Sequence, residues 1–180
     1  MLGDKKVRYR ATIARRTLTD KTGYPIGHAI VATIAEVYLH PNVLPILCSL
    51  LNMKSKTCSL ASVASWADKI RDERKWTAPL HYVNAVADHP PQLCQFPSAK
   101  GWEGKKDVNV LGAIRNNTDI LNSWAQEGSD PSDSAASDAL KFLIHFVGDL
   151  HMPFHLVERE RGANGVRVKW GEKKVSKYLP

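Results

Sequence analysis

No apolar run in this 180-residue chain approaches the roughly 20 residues needed to cross a bilayer, so no membrane-spanning helix is expected. The basic opening, MLGDKKVRYRATIARRTLTDKTG, has the charge of a signal peptide's first region but lacks the apolar stretch that should follow. Taken literally, the chain carries no recognisable export signal. Cysteine is scarce, and Cys48, Cys58 and Cys94 show neither CxxC nor any other metal-binding spacing. One disulfide with an orphan, or three reduced thiols, are both open to them. Repeats are absent, and the nearest thing to low complexity is EGSDPSDSAASDA over residues 127–139. Strand-like alternation is confined to GVRVKW at 165–170, so the expected fold class is mainly α. The length suits one domain with a sizeable core.

The formal net charge of +7 suggests a nucleic-acid partner only until its placement is considered. Residues 1–23 carry +5 and residues 157–180 carry +4, while everything between them sums to −2. The excess lies in the two ends and the central part is nearly neutral, so charge alone selects no partner.

Helical periodicity marks GHAIVATIAEVYL (27–39), with apolar residues at Ile30, Val31, Ile34 and Val37/Tyr38, stopped by Pro41. A second short helix is expected from PNVLPILCSLLN, and a third from SLASVASWADKIR (59–71), with Ser59 or Ser62 as possible caps. A fourth falls on VNVLGAIRNNTDILNSW (108–124). Between Lys75 and Asp107, Pro and Gly predict an irregular excursion. ALKFLIHFVGDL, Ala139 to Leu150, is apolar on nearly every face, as a central helix should be. Ser134 or Ser137 could supply the N-cap, Asp133 and Asp138 suit the positive end of the helix, and Pro153 ends or kinks it.

That central helix holds the first chemistry. His145 and Asp149 stand at i,i+4, so both project from one face and can share a metal ion; His155, beyond the proline, can reach the same region. A buried histidine bonded to a carboxylate is the plainer alternative. His151 is left out, being either a donor behind the ligands or an exposed side chain. SWADKIR places Asp68 and Arg71 at i,i+3, either as a surface ion pair or as a carboxylate ligand beside a cation that stabilises phosphate charge. PLHYVN carries His81, Tyr82 and Asn84. The Tyr82 ring offers either a flat face for stacking a base or half-buried packing. His28 opens the first helix after Gly27. Asn116 begins an N-glycosylation sequon, NNT, meaningful only in the secretory pathway.

Taken in order, GHAIVATIAEVYL, SWADKIR, APLHYVN, DVNVLGAIRNNTDIL and FLIHFVGDLHMPFH resemble the zinc-dependent single-strand nucleases of fungi and plants, the nuclease P-one/S-one family, related in fold to bacterial zinc phospholipase C. The resemblance covers about residues 26 to 170. It implies a mostly helical fold with a three-zinc cluster in a cleft, a secreted enzyme, and hydrolysis of single-stranded DNA or RNA to 5′-phosphorylated products, with a possible 3′-nucleotidase side activity. By the same resemblance Asp68, His81 and His145 would hold one zinc, which Asp149 bridges to another. His155 would ligate the second zinc, His28 the third. Arg71 would steady the phosphate in the transition state, making it and Asp149 the catalytic candidates; Tyr82 and Asn84 would bind the base. No membrane and no protein partner is implied.

Both ends depart from the family. Its mature members begin with a tryptophan whose amine and carbonyl bind the third zinc; that position here is Gly23, inside the chain. The family continues past the turn resembled by RGANGVRVKW with a histidine and an aspartate that complete the second site, whereas no histidine follows His155. The resemblance therefore implies a domain incomplete at the C-terminus: a non-family extension at 1–22, a partial nuclease domain at 23–174 and a non-family tail at 175–180. It also implies fewer than three zinc ions, a Cys94 without its disulfide partner, and little or no nuclease activity for the chain as written. The alternatives are an inactive family member keeping one zinc as a structural element and, third, phospholipid hydrolysis.

Overall fold

Helices form where the apolar spacing calls for them. The computed structural model describes residues 26–54, 56–86 and 100–156, with two short strands at 168–170 and 173–175. The helices are α1 (Ile26–Tyr38), α2 (Val43–Leu50), α3 (Trp66–Ile70), α4 (Val110–Gln126) and α5 (Ser134–Leu150). Tighter 3-10 turns cover Leu60–Val63, Lys75–His81 and Pro153–Leu156. The strands β1 (Val168–Trp170) and β2 (Lys173–Val175) pair antiparallel, with Lys169 opposite Lys174. The fold is mainly α. Of the GVRVKW alternation, Val168 to Trp170 is strand and residues 165–167 lie outside the described residues, as do Gly23 and Cys94 and, apart from the strand segments, both basic ends. No helix among the described residues is long and apolar enough to cross a membrane.

The core is organised by α4 and α5. Gly128, at φ +102°, and Ser129, at φ +58°, turn the chain sharply after α4, a conformation that glycine adopts without steric cost. The Trp124 indole N–H donates to the Asp130 carbonyl at 2.7 Å and closes the connection. So short a loop makes the two helices antiparallel neighbours. Trp124, near the end of α4, packs with Ala136 and Leu140 at the start of α5. Val110 and Ala113, at the start of α4, pack with Phe142 and Phe146 further along α5. Asn109 caps α4 by accepting from the Gly112 amide at 3.0 Å, and a Cβ at Gly112 would overlap the Asp107 carbonyl.

Three expectations need correction. The cap of α5 is Asp133, whose carboxylate accepts from the Ala135 and Ala136 amides at 2.8 and 3.0 Å; Ser134 and Ser137 lie inside the helix. A carboxylate suits this position better than a hydroxyl because it also complements the positive end of the helix. The 59–71 helix is broken into the 3-10 turn and the short α3, with Ala64, 1% exposed, at the break. Ser59 makes no cap bond; its hydroxyl donates to Glu36 at 3.2 Å. The 75–107 excursion is irregular after His81, but it opens with seven residues of 3-10 helix.

Cys48 and Cys58 form a disulfide that ties α2 to the chain ten residues on. Asp138 on α5 accepts from Arg74 at 2.7 Å and from Lys141 at 2.8 Å, and both cations lie over the Trp66 ring, at 5.4 and 4.4 Å from its centroid. Burial works against the Asp138 carboxylate, but the bonds from Lys141 and Arg74 outweigh it and leave its pKa lowered. A depressed carboxyl stabilises the fold above its unfolded pKa of about 4, and that contribution fades as the pH falls through the folded value. Asp138→Asn is therefore expected to cost roughly 1 kcal/mol at pH 7, the scale of a half-exposed network of this kind. Thermal melts should show the gap between wild type and variant closing at low pH; a gap that stays constant down to about pH 2 would contradict the assignment.

Candidate metal centre

The centre is built on the buried side of α5. Phe142 and Phe146 fix that helix in the core, and His145 and Asp149, one turn apart, are 0% and 2% exposed. The break at Ala64 brings a backbone carbonyl to His145, whose Nδ1–H donates to it at 2.7 Å. A carbonyl can only accept, so Nε2 is the nitrogen left to take a proton or an ion. The Lys75–His81 turn delivers His81 from the opposite side, its ring edge against Phe146.

The donor atoms of four side chains converge. His81 Nδ1 lies 3.0 Å from His145 Nε2 and 3.0 Å from Asp149 Oδ2; His145 Nε2 is 3.2 Å from that same oxygen. Asp68 Oδ1, from α3, stands 3.7 Å from His81 Nδ1 and 3.6 Å from His145 Nε2. Ligands about 2.0–2.2 Å from one tetrahedral ion are about 3.3–3.6 Å from each other. The separations here, 3.0 to 3.7 Å, bracket that spacing. Proton sharing alone satisfies the group poorly, because a single Nδ1–H on His81 cannot serve two carboxylates and an imidazole lone pair together. His81 Nε2, buried and without a hydrogen-bond partner, gives no help from the far side of the ring. The residues present fit a metal ion.

Asp149 faces two ways. Oδ2 looks toward His81 and His145, while Oδ1 accepts from His28 Nε2 at 2.9 Å and lies 3.6 Å from His155 Nε2. His28 reaches it from the first turn of α1, its ring stacked on that of His145 with centroids 4.2 Å apart. Gly148 makes that approach possible: a Cβ there would come within 2.5 Å of the His28 ring. Side-chain groups able to hold an ion therefore form twice among the described residues, as Asp68–His81–His145 and as His28–His145–Asp149. Burial alone would raise the Asp149 pKa, but the bonds from His145, His28 and His81 hold its carboxyl well below the usual range. At His145 burial opposes charge, yet Asp149, Asp68 and the Ala64 carbonyl leave the pKa raised. His155 is lowered, chiefly by burial.

The remaining candidates lie around this cluster. Arg71 is exposed at the end of α3, one turn beyond Asp68, and among the described residues the two form no ion pair. Tyr82, 42% exposed, directly follows His81. Its carbonyl accepts from the Val110 amide, and the next amide, Val83, donates to the His155 carbonyl at 2.9 Å, which joins the Tyr82–Asn84 segment to His155. Asn84 is half-buried, and its backbone carbonyl accepts from Glu103. His151 is exposed and turned back to the Val147 carbonyl, away from the cluster. Asn116 is exposed on α4. Two positioning elements were not foreseen: the Ala64 carbonyl, which has no side-chain signal, and Gly148, whose presence inside a helix, costing about 1 kcal/mol relative to alanine, was signal enough.

The chain is similar to several known nucleases. Nuclease S1 of Aspergillus oryzae is 36% identical over 166 residues, 89% of this chain and 53% of that protein. Endonuclease 2 of Arabidopsis thaliana is 32% identical over 154 residues (83% and 51%), and nuclease P1 of Penicillium citrinum 33% over 147 (79% and 50%). The chain thus spans about half the length of these relatives. The S1/P1 nuclease description matches residues 24–177, from just before α1 to just beyond β2. With most of its residues inside that match, the chain belongs to the S1/P1 nuclease family.

Proposed function

We propose that this domain serves zinc-dependent hydrolysis of single-stranded DNA or RNA, leaving 5′-phosphorylated products, with 3′-nucleotidase activity as the corresponding reaction on a terminal phosphate. The observation that carries the reading is the convergence of Asp68 and Asp149 on the two imidazole nitrogens of His81 and His145, at 3.0 to 3.7 Å. Imidazole nitrogens and carboxylate oxygens in that geometry suit zinc. Asp68, His81 and His145 would hold one ion, with Asp149 bridging toward His28 and His155. Bound zinc supplies acidity to a water molecule and neutralises charge on a phosphate.

The chain's own residues would do the rest. The Ala64 carbonyl keeps the His145 ring oriented with Nε2 inward. Arg71, exposed and free of ion pairs among the described residues, offers a planar fork of N–H donors to phosphate oxygens. The exposed Tyr82 ring would stack an unpaired base, which a base inside a duplex cannot present, and Asn84 would reach its edge. The Cys48–Cys58 bond is at home in an oxidising compartment, which supports secretion, and the exposed Asn116 is open to glycosylation.

A second reading keeps one zinc as a structural element without catalysis; it is favoured by the fact that both donor groups among the described residues draw on the same His145. One experiment separates the two. Metal content of the purified chain is measured beside cleavage of matched single-stranded and duplex oligonucleotides, with product ends read by mass spectrometry. Cleavage restricted to the single strand, abolished by a chelator and restored by zinc, is the expected result. Metal binding without cleavage selects the second reading, and chelator-resistant or duplex-indifferent cleavage defeats both.

A further inference from the structure

α1 turns its large apolar residues outward and keeps a row of other types for the inside. Ile30, Ile34 and Tyr38 are 54%, 54% and 84% exposed. His28, Ala32 and Glu36, also at every fourth position, face inward. His28 bonds Asp149, Ala32 packs with Leu60 and Ala64, and Glu36 meets the chain at Ser59 and Leu60. Apart from His28, Glu36 is the only acidic or basic residue of the helix. One oxygen of its carboxylate, Oε2, accepts from the Leu60 amide at 2.9 Å and from the Ser59 hydroxyl at 3.2 Å. Ser59 gives no side-chain cap to the turn that starts at Leu60, so Glu36 caps it from another helix.

That turn, Leu60–Val63, is four residues of 3-10 helix, too short to hold its shape by its own bonds. Glu36 fixes its first amide, and the residue that ends it, Ala64, lends its carbonyl to the His145 Nδ1–H at 2.7 Å. α1 therefore grips the His145 ring twice: His28 stacks on its face, and Glu36 acts on its edge through the turn. We propose that Glu36 is a positioning residue of the metal centre: by capping the Leu60–Val63 turn it sets the Ala64 carbonyl, and through it the tautomer and orientation of His145. Negative charge is not required for this. An uncharged oxygen that accepts both bonds would serve, whereas a methyl group would leave the amide of Leu60, a residue 4% exposed, without its acceptor. The competing restraint is the Cys48–Cys58 bond, which fixes the residue just before Ser59. The inference rests on the metal reading only for its effect on zinc, because the state of the His145 ring can be followed without an ion.

The test compares the 180-residue chain with its Glu36→Ala, Glu36→Gln and Ser59→Ala variants. In the zinc-free chain, heteronuclear NMR of the imidazoles should show His145 as a single Nδ1–H tautomer with a slowly exchanging proton. In Glu36→Ala that proton should exchange at least about tenfold faster, as the turn opens more often. Zinc affinity, read by chelator competition, should fall by about tenfold, the low end for groups that orient a ligand from behind. Glu36→Gln should restore both readouts, and Ser59→Ala, which leaves the Leu60 bond, should lie between. A wild-type His145 signal in Glu36→Ala would leave the turn to the disulfide and overturn the proposal. So would a Glu36→Gln chain as impaired as Glu36→Ala, since charge rather than capping would then be the cause. If Glu36→Ala does not fold, Ser59→Ala decides, and an unchanged His145 proton there overturns the proposal. A wild-type chain that binds no zinc fails the nuclease reading instead, and the imidazole proton alone then judges Glu36.

Discussion

If the domain is the zinc nuclease proposed above, Asp149→Asn is expected to lower zinc affinity by at least about 100-fold and to abolish zinc-dependent cleavage, the largest effect of any single substitution in the domain. The side chain is 2% exposed and keeps its shape as asparagine, so the change is almost purely one of charge. The wild-type carboxylate has His28, His81, His145 and His155 within 3.6 Å, shared between its two oxygens. An amide offers one weaker acceptor and turns an N–H pair toward the remaining imidazoles. Chelator competition followed by thermal melting would measure both consequences, namely weaker retention of zinc and a smaller rise in melting temperature on adding it. A variant that holds zinc as tightly as wild type would show that Asp149 is only a buried hydrogen-bond partner.

Gly148→Ala should destabilise the fold by about 3 kcal/mol, against the sign that helix propensity alone predicts. In an unobstructed helix interior the same change stabilises by about 1 kcal/mol. Here the new Cβ would meet the His28 ring at 2.5 Å, and the ring cannot retreat without giving up its 2.9 Å bond to Asp149 and its stack on His145. The decisive control is the His28→Ala background, where the obstruction is gone and Gly148→Ala should turn stabilising. Equal destabilisation in both backgrounds would mean that Gly148 matters for a reason unrelated to His28.

The sequence itself marks His145 and Asp149, types that rarely sit in an apolar helix without a partner, whereas Asp68, His81 and His28 join them as site residues only through the family resemblance. The i,i+4 spacing of His145 and Asp149 already places both on one side, and the structure adds Asp68 and His81 within hydrogen-bonding or ion-pair reach. Helical periodicity finds α1 to within a residue, and the 108–124 and 139–150 segments find α4 and the C-terminal part of α5. The misses have physical causes. Asp133 outcompetes the serines as a cap because it brings charge to the helix start as well as an acceptor. The break at Ala64 follows from packing and from the demand of His145, contacts that come from 81 residues away. The outward orientation of the α1 stripe is the instructive case: a spacing reveals that a helix has an apolar side, never what that side will touch.

Between Ala136 and Leu150 not one residue of α5 is exposed. The helix that carries His145 and Asp149 also carries Ala136, Leu140, Phe142 and Phe146, so chemistry and architecture are interleaved at successive positions. Such a segment has no neutral side on which substitutions can accumulate. A lineage losing the need for catalysis could shed Arg71 or Tyr82 from the surface at little cost to folding, while His145 and Asp149 would be retained for as long as the fold itself was. Under relaxed selection, the order in which these residues disappear should follow their burial before their chemistry.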